Sequence, residues 1–139
     1  MRKLKLILKY LLGLLFVAAG LNHFLSPDFY LKIMPPALPW HLFLVYASGV
    51  FEVLLGAALL IKRTTRLAAW GLIALLVAVY PANIHMALNP DLFPEYSRAA
   101  LWARLPIQLI LIAWVYWYAR RDTRESAGPA ESAQRAAAT

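Results

Sequence analysis

The chain has no cysteine among its 139 residues. That absence removes disulfides, thiolate metal sites and thiol–disulfide exchange from its own chemistry. Acidic groups are scarce as well: seven Asp and Glu stand against 14 Lys and Arg, a net charge of +7. Nucleic-acid binding would need those bases spread over one face. They sit instead in blocks between apolar runs, the pattern of cytoplasmic loops in membrane proteins, so nucleic acid is not an expected partner. Apolar residues are in excess. They make up 62% of the chain, against a usual share of about 45–50%.

The run that organises the rest is His41 to Ile61, HLFLVYASGVFEVLLGAALLI. At helical rise it reaches about 30 Å, the thickness of a bilayer's hydrocarbon core. It carries one carboxylate, Glu52, near its middle. An acid at that depth costs roughly 2.5–3.5 kcal/mol on insertion scales, so it must face a partner, a cavity or the interior of a bundle.

Three further apolar runs accompany it. The first helix is expected over about residues 4–25, with a cleavable signal peptide as the second reading, because a basic start precedes the small residues Ala18, Ala19 and Gly20. The third is expected over about 67–88 and the fourth over about 101–118. Ser26 to Trp40 holds four of the nine prolines and reads as a loop, with a short amphipathic turn over the mouth of the bundle. Lys62 to Arg66 is a tight basic connector, and Asn89 to Ala100 is a second loop on the far side. The expectation is one all-α domain, an integral membrane four-helix bundle over residues 1–121. Residues 122–139, polar and Ala-rich, read as a disordered cytoplasmic tail.

Lys and Arg set the orientation. Only Lys32, Arg98 and Arg104 fall on one side, and the other eleven fall on the side of the termini and the basic connector. Both termini are therefore expected in the cytoplasm.

Each helix brings polar groups toward its outer end: Asn22 and His23; Ser48 and Glu52; Tyr80, Asn83 and His85; Arg104 and Gln108. Ser48 and Glu52 share a face one turn apart, as do Arg104 and Gln108. Gly49 and Gly56, seven residues apart, lie close to the Glu52 face and permit a neighbouring helix to approach. Placed by helical rise, these groups outline a polar pocket in the outer half of the bundle, with Glu52 deepest. Two arrangements remain open for Glu52. It pairs with Arg104, bridged by Gln108 or Asn83, or it stands alone as a neutral acid. Each side chain has a structural reading too. His23 and His85 are ordinary hydrogen-bonded helix ends, since no third ligand at metal spacing accompanies them. Asn83 and Gln108 are interhelical contacts worth about 0.6 kcal/mol each.

Together Ala19-Gly20-x-x-His23-Phe24, Ile33-Met34-Pro35-Pro36-x-Leu38-Pro39, Ser48-Gly49-x-x-Glu52, Tyr80-Pro81-Ala82-Asn83 and Arg104-Leu105-Pro106-x-Gln108 resemble the DoxX family of small bacterial membrane proteins, over roughly residues 12–118. The resemblance implies a four-helix membrane bundle in the bacterial inner membrane. It also implies a quinone- or lipid-binding subunit of a membrane oxidoreductase, with another membrane or redox protein as partner. Without cysteine, a redox role would use a bound quinone or a partner's chemistry. The alternative is a non-enzymatic scaffold or assembly factor built on a buried Glu52–Arg104 pair. A small-solute transporter would require an oligomer, and the Gly and Ala faces permit a homodimer.

Overall fold

The computed structural model describes residues 2–120, all of whose regular structure is helical. Its elements are α1 (Arg2–Leu25), α2 (Pro27–Ile33), α3 (His41–Leu60), α4 (Thr65–Leu88) and α5 (Arg98–Ala119), with a 3₁₀ turn at Pro90–Leu92. Four of these, α1, α3, α4 and α5, are long and apolar enough to cross a membrane. Only 17–28% of their most apolar windows are buried against the rest of the protein. Leucines, isoleucines and tryptophans therefore cover the outside, as the solvent of a multi-pass membrane protein requires.

Three of the boundaries that differ from the sequence reading have a local cause. Ser26–Trp40 is not wholly loop: Pro27 takes the first helical position, where its missing N–H costs nothing, and Asp28 follows in the first turn of α2. α5 starts three residues early because the Ser97 side chain accepts from the Ala100 amide at 3.1 Å and caps it. α4 starts at Thr65, whose hydroxyl bonds the carbonyls of Leu59 and Ile61 at 3.0 and 2.9 Å. The expected tail, 122–139, lies outside the described residues.

α1 packs on α3, α3 on α4, and α4 on α5. The α1–α3 contact is set by two glycine pairs. Gly13 faces Gly56 and Gly20 faces Gly49, and a Cβ on Gly20 would come within 2.7 Å of the Gly49 carbonyl oxygen. Backbones this close exclude any side chain from the seam.

The two ends of the molecule are built differently. Where α1 begins and α5 ends, one apolar cluster draws on all four long helices, with Leu12, Phe16, Leu59, Leu72 and Val115 at its centre. The Tyr118 hydroxyl donates to the Lys5 carbonyl at 2.9 Å across that end. Lys9, nearly buried, donates to the Leu60 carbonyl at 3.3 Å and to the Thr65 hydroxyl at 3.2 Å, closing the α3–α4 hairpin. At the other end the long helices part. A second cluster of Ile33, Met86, Phe93 and Leu101 ties α2 and the 90–93 turn to α4 and α5, and roofs the gap. The backbone enters α3 through Trp40 in the left-handed region, φ 53°, which turns the Pro-rich segment down into the helix.

Candidate functional site

The gap beneath the roof is a cavity of about 790 Å³. Its wall is mostly aliphatic, with contributions from α1, α2, α3, α4, α5 and the segment Met34–Leu38. Six of the nine polar residues picked out from the sequence line it: His23, Ser48, Glu52, Asn83, Arg104 and Gln108. All but Ser48 form two separate groups.

The first group joins α1 to α3. His23 Nδ1 lies 3.3 Å from Glu52 Oε2 and 3.0 Å from the Ala19 carbonyl. Both partners are oxygens and the carbonyl can only accept, so Nδ1 is the protonated ring nitrogen. Both side chains are about nine-tenths shielded, at 10% and 15% exposure. The reason for their meeting is the glycine seam. Gly49 is one turn before Glu52, and a Cβ there would sit 2.7 Å from His23 Cβ. Without that side chain, α1 comes close enough for His23 to reach Glu52. The α2 helix closes over the pair: the Tyr30 ring stacks on His23, centroids 3.7 Å apart and planes 19° apart, and Asn22 Nδ2 donates to the Tyr30 hydroxyl at 3.1 Å.

The second group joins α4 to α5. Gln108 Nε2 donates to the Leu76 carbonyl at 2.8 Å, Asn83 Nδ2 donates to Gln108 Oε1, and Arg104 Nε donates to Asn83 Oδ1 at 3.0 Å. Gln108 is buried, so its amide is held by two partners in a fixed sense. Pro81 and Pro106 lie within helices α4 and α5, which run through both positions.

This arrangement corrects the Glu52–Arg104 pair. Among the described residues no ion pair joins them; Glu52 meets His23, and Arg104 is drawn to Asn83. Arg104 stands on α5, which neighbours α4, whereas Glu52 stands on α3 beside α1. Ser48 lines the cavity but donates to its own helix at the Val45 carbonyl, 2.9 Å away. Tyr80 and His85 stand apart from the lining. His85 faces Asn89 at 3.2 Å at the end of α4, the ordinary helix-end arrangement.

Tyr30 takes its place over His23 because α2 is a helix. The glycine seam has a sequence signal. Gly13 and Gly20 repeat the seven-residue spacing of Gly49 and Gly56, and antiparallel neighbours with matched spacings meet twice.

A family model described as Domain of unknown function (DUF8561) matches residues 12–119. No curated protein and no solved structure matches the chain.

Proposed function

The chain belongs to the DUF8561 family, and on that footing we propose that it is a ligand-binding membrane subunit, holding a quinone or lipid-like molecule in the cavity at one end of a four-helix bundle. The observation that carries this reading is the cavity itself. It is large and mostly apolar, and its polar lining includes the close His23–Glu52 pair and the hydrogen-bonded Arg104–Asn83–Gln108 chain. A concave apolar site with a few fixed polar groups is the usual form of a small-molecule site. The DoxX resemblance of the sequence supports a quinone and a place in a membrane oxidoreductase complex of the bacterial inner membrane. The excess of Lys and Arg at the end where α1 begins supports cytoplasmic termini, which puts the cavity in the outer half of the membrane. Arg104 would donate to the headgroup, and Glu52, 3.3 Å from His23 Nδ1, would exchange protons with it.

The scaffold or assembly-factor reading, favoured by the small size and the lack of redox-active residues, loses the Glu52–Arg104 pair as the element that would hold the helices in register. A second redox protein or a homodimer partner belongs to the proposal as the route by which electrons or contacts reach the site.

The test is mass spectrometry of the lipid extract from protein purified in mild detergent, with an absorption spectrum of the same sample. A quinone or single lipid species enriched to near-stoichiometry, and depleted in Glu52→Gln or Arg104→Ala, is the expected result. Bulk phospholipid alone, together with no binding of a short-chain ubiquinone analogue on titration, would remove the reading.

A further inference from the structure

The second polar group of the cavity has a direction. Gln108 gives its amide N–H to the Leu76 carbonyl, its oxygen receives from Asn83, and the Asn83 oxygen receives from Arg104. Each side-chain carbonyl in the chain thus already accepts one donor. The charged group on this wall is the guanidinium. Its Nε edge is used by Asn83, which leaves the end-on pair of Nη groups. Arg104 is a lining residue of the cavity, and among the described residues no carboxylate lies within ion-pair distance of it. The one carboxylate that shares the cavity wall, Glu52, is turned to His23 beneath Tyr30.

A wall whose charged group is a cation calls for an acceptor, and a planar cation beside a mostly apolar cavity calls for a counter-charge. The end-on fork of an arginine matches two oxygens of a carboxylate or phosphate in parallel hydrogen bonds. The rest of the lining accepts an apolar tail, with Leu75, Val79, Ile107 and Leu111 contributed by α4 and α5. We infer that the cavity's ligand is an acidic amphiphile, an apolar chain ending in a carboxylate or phosphate headgroup that docks end-on against the Arg104 guanidinium, with Asn83 and Gln108 fixing the orientation of that guanidinium. The inference rests on the reading of the cavity as a ligand site and narrows it, from any amphiphile with an accepting headgroup to one that carries negative charge.

The experiment titrates the full chain, in mild non-ionic detergent at pH 8, with four probes: oleate, its neutral methyl ester, a lysophosphatidate of the same chain length, and decylubiquinone. Native mass spectrometry or isothermal titration reads the binding. Oleate or lysophosphatidate is expected to bind at least about tenfold more tightly than methyl oleate, and the better of the two acids assigns the headgroup. That gap is expected to close in Arg104→Gln and to be only partly kept in Arg104→Lys, which retains the charge but not the fork. Equal binding of oleate and its methyl ester by the wild-type protein overturns the inference without recourse to any variant. Binding of decylubiquinone with no preference for acids overturns it too, yet leaves the cavity as a ligand site. Failure of all four probes to bind overturns both.

Discussion

His23 Nδ1 lies 3.3 Å from Glu52 Oε2, and this contact joins α1 to α3 at the level where Gly20 faces Gly49. The two features are one. A histidine near the end of one helix reaches a carboxylate on the next only because no side chain stands between the backbones.

Replacing Gly49 by alanine should therefore destabilise the protein by about 1–3 kcal/mol, the usual range for overpacking. The gain in helix propensity, about 1 kcal/mol, acts in the opposite sense and is outweighed. The new Cβ would press on His23 Cβ at 2.7 Å and on the Gly20 carbonyl at 3.0 Å. Gly71→Ala is the control. Its Cβ would meet only the Leu55 side chain, whose methyl groups can turn aside. Unfolding midpoints in detergent should fall for the first and stay near wild type for the second; equal shifts would contradict the seam.

The Asn83–Gln108 bond is measurable by a double-mutant cycle with alanine at each position. A coupling on the order of 0.6 kcal/mol, and at most about 1.7, is expected for such a bond between membrane helices. Strictly additive losses would mean that the two amides do not meet. Each single change also breaks a second bond, Gln108→Ala the one to the Leu76 carbonyl and Asn83→Ala the one from Arg104 Nε, so both should cost more than the coupling alone.

Tyr118 ties the closed end together through its hydroxyl on the Lys5 carbonyl. Tyr118→Phe keeps the ring in the apolar cluster and removes only that bond. A loss of about 0.5–1.5 kcal/mol is expected. Ligand binding in the cavity at the opposite end should not change.

The roof has a pH-sensitive contact. Glu95 bonds its own backbone amide and accepts from Lys32 Nζ at 3.0 Å; together these hold its carboxyl below the ordinary value of 4.5. A depressed acid stabilises the fold above its unfolded value, and that contribution disappears as pH falls through the lower, folded value. The group is fully exposed, so the effect is small and weakened by salt. Glu95→Gln should flatten the change in melting temperature below about pH 4.5 and leave the neutral-pH value nearly unaltered. A steeper acid dependence in the variant would contradict the pair.

How far the residues could be read in advance depends on what each reading used. The four long helices were legible because a span is a sum of side-chain transfer energies along consecutive residues, and 20 or so apolar positions outweigh a single Glu52 or Arg104. The inventory of the cavity was legible for the same reason: polar side chains in a long apolar run have few places to go. His23, Ser48, Glu52, Asn83, Arg104 and Gln108 do meet around one space, while Tyr80 and His85 stand outside its lining. α2 was missed as a helix because its prolines were read as breakers, although Pro27 sits where a proline starts one.

The pairing inside the cavity was beyond the sequence. Helical spacing places Glu52 deepest and Arg104 nearer the outer end, within reach of its long stem, and charge alone would join them. Depth and charge are properties of one helix at a time. Which groups touch depends on how two helices are rotated and how closely they approach, and those are decided between helices. Glycine pairs bring α1 onto α3 and set His23 against Glu52; α5 packs on α4, and its arginine finds Asn83 first. The sequence by itself determined that polar groups must be hidden within the membrane. The tertiary structure divided them into one pair bridging α1 and α3 and one directed chain bridging α4 and α5, because hydrogen bonds act over about 3 Å and helix packing alone sets such distances.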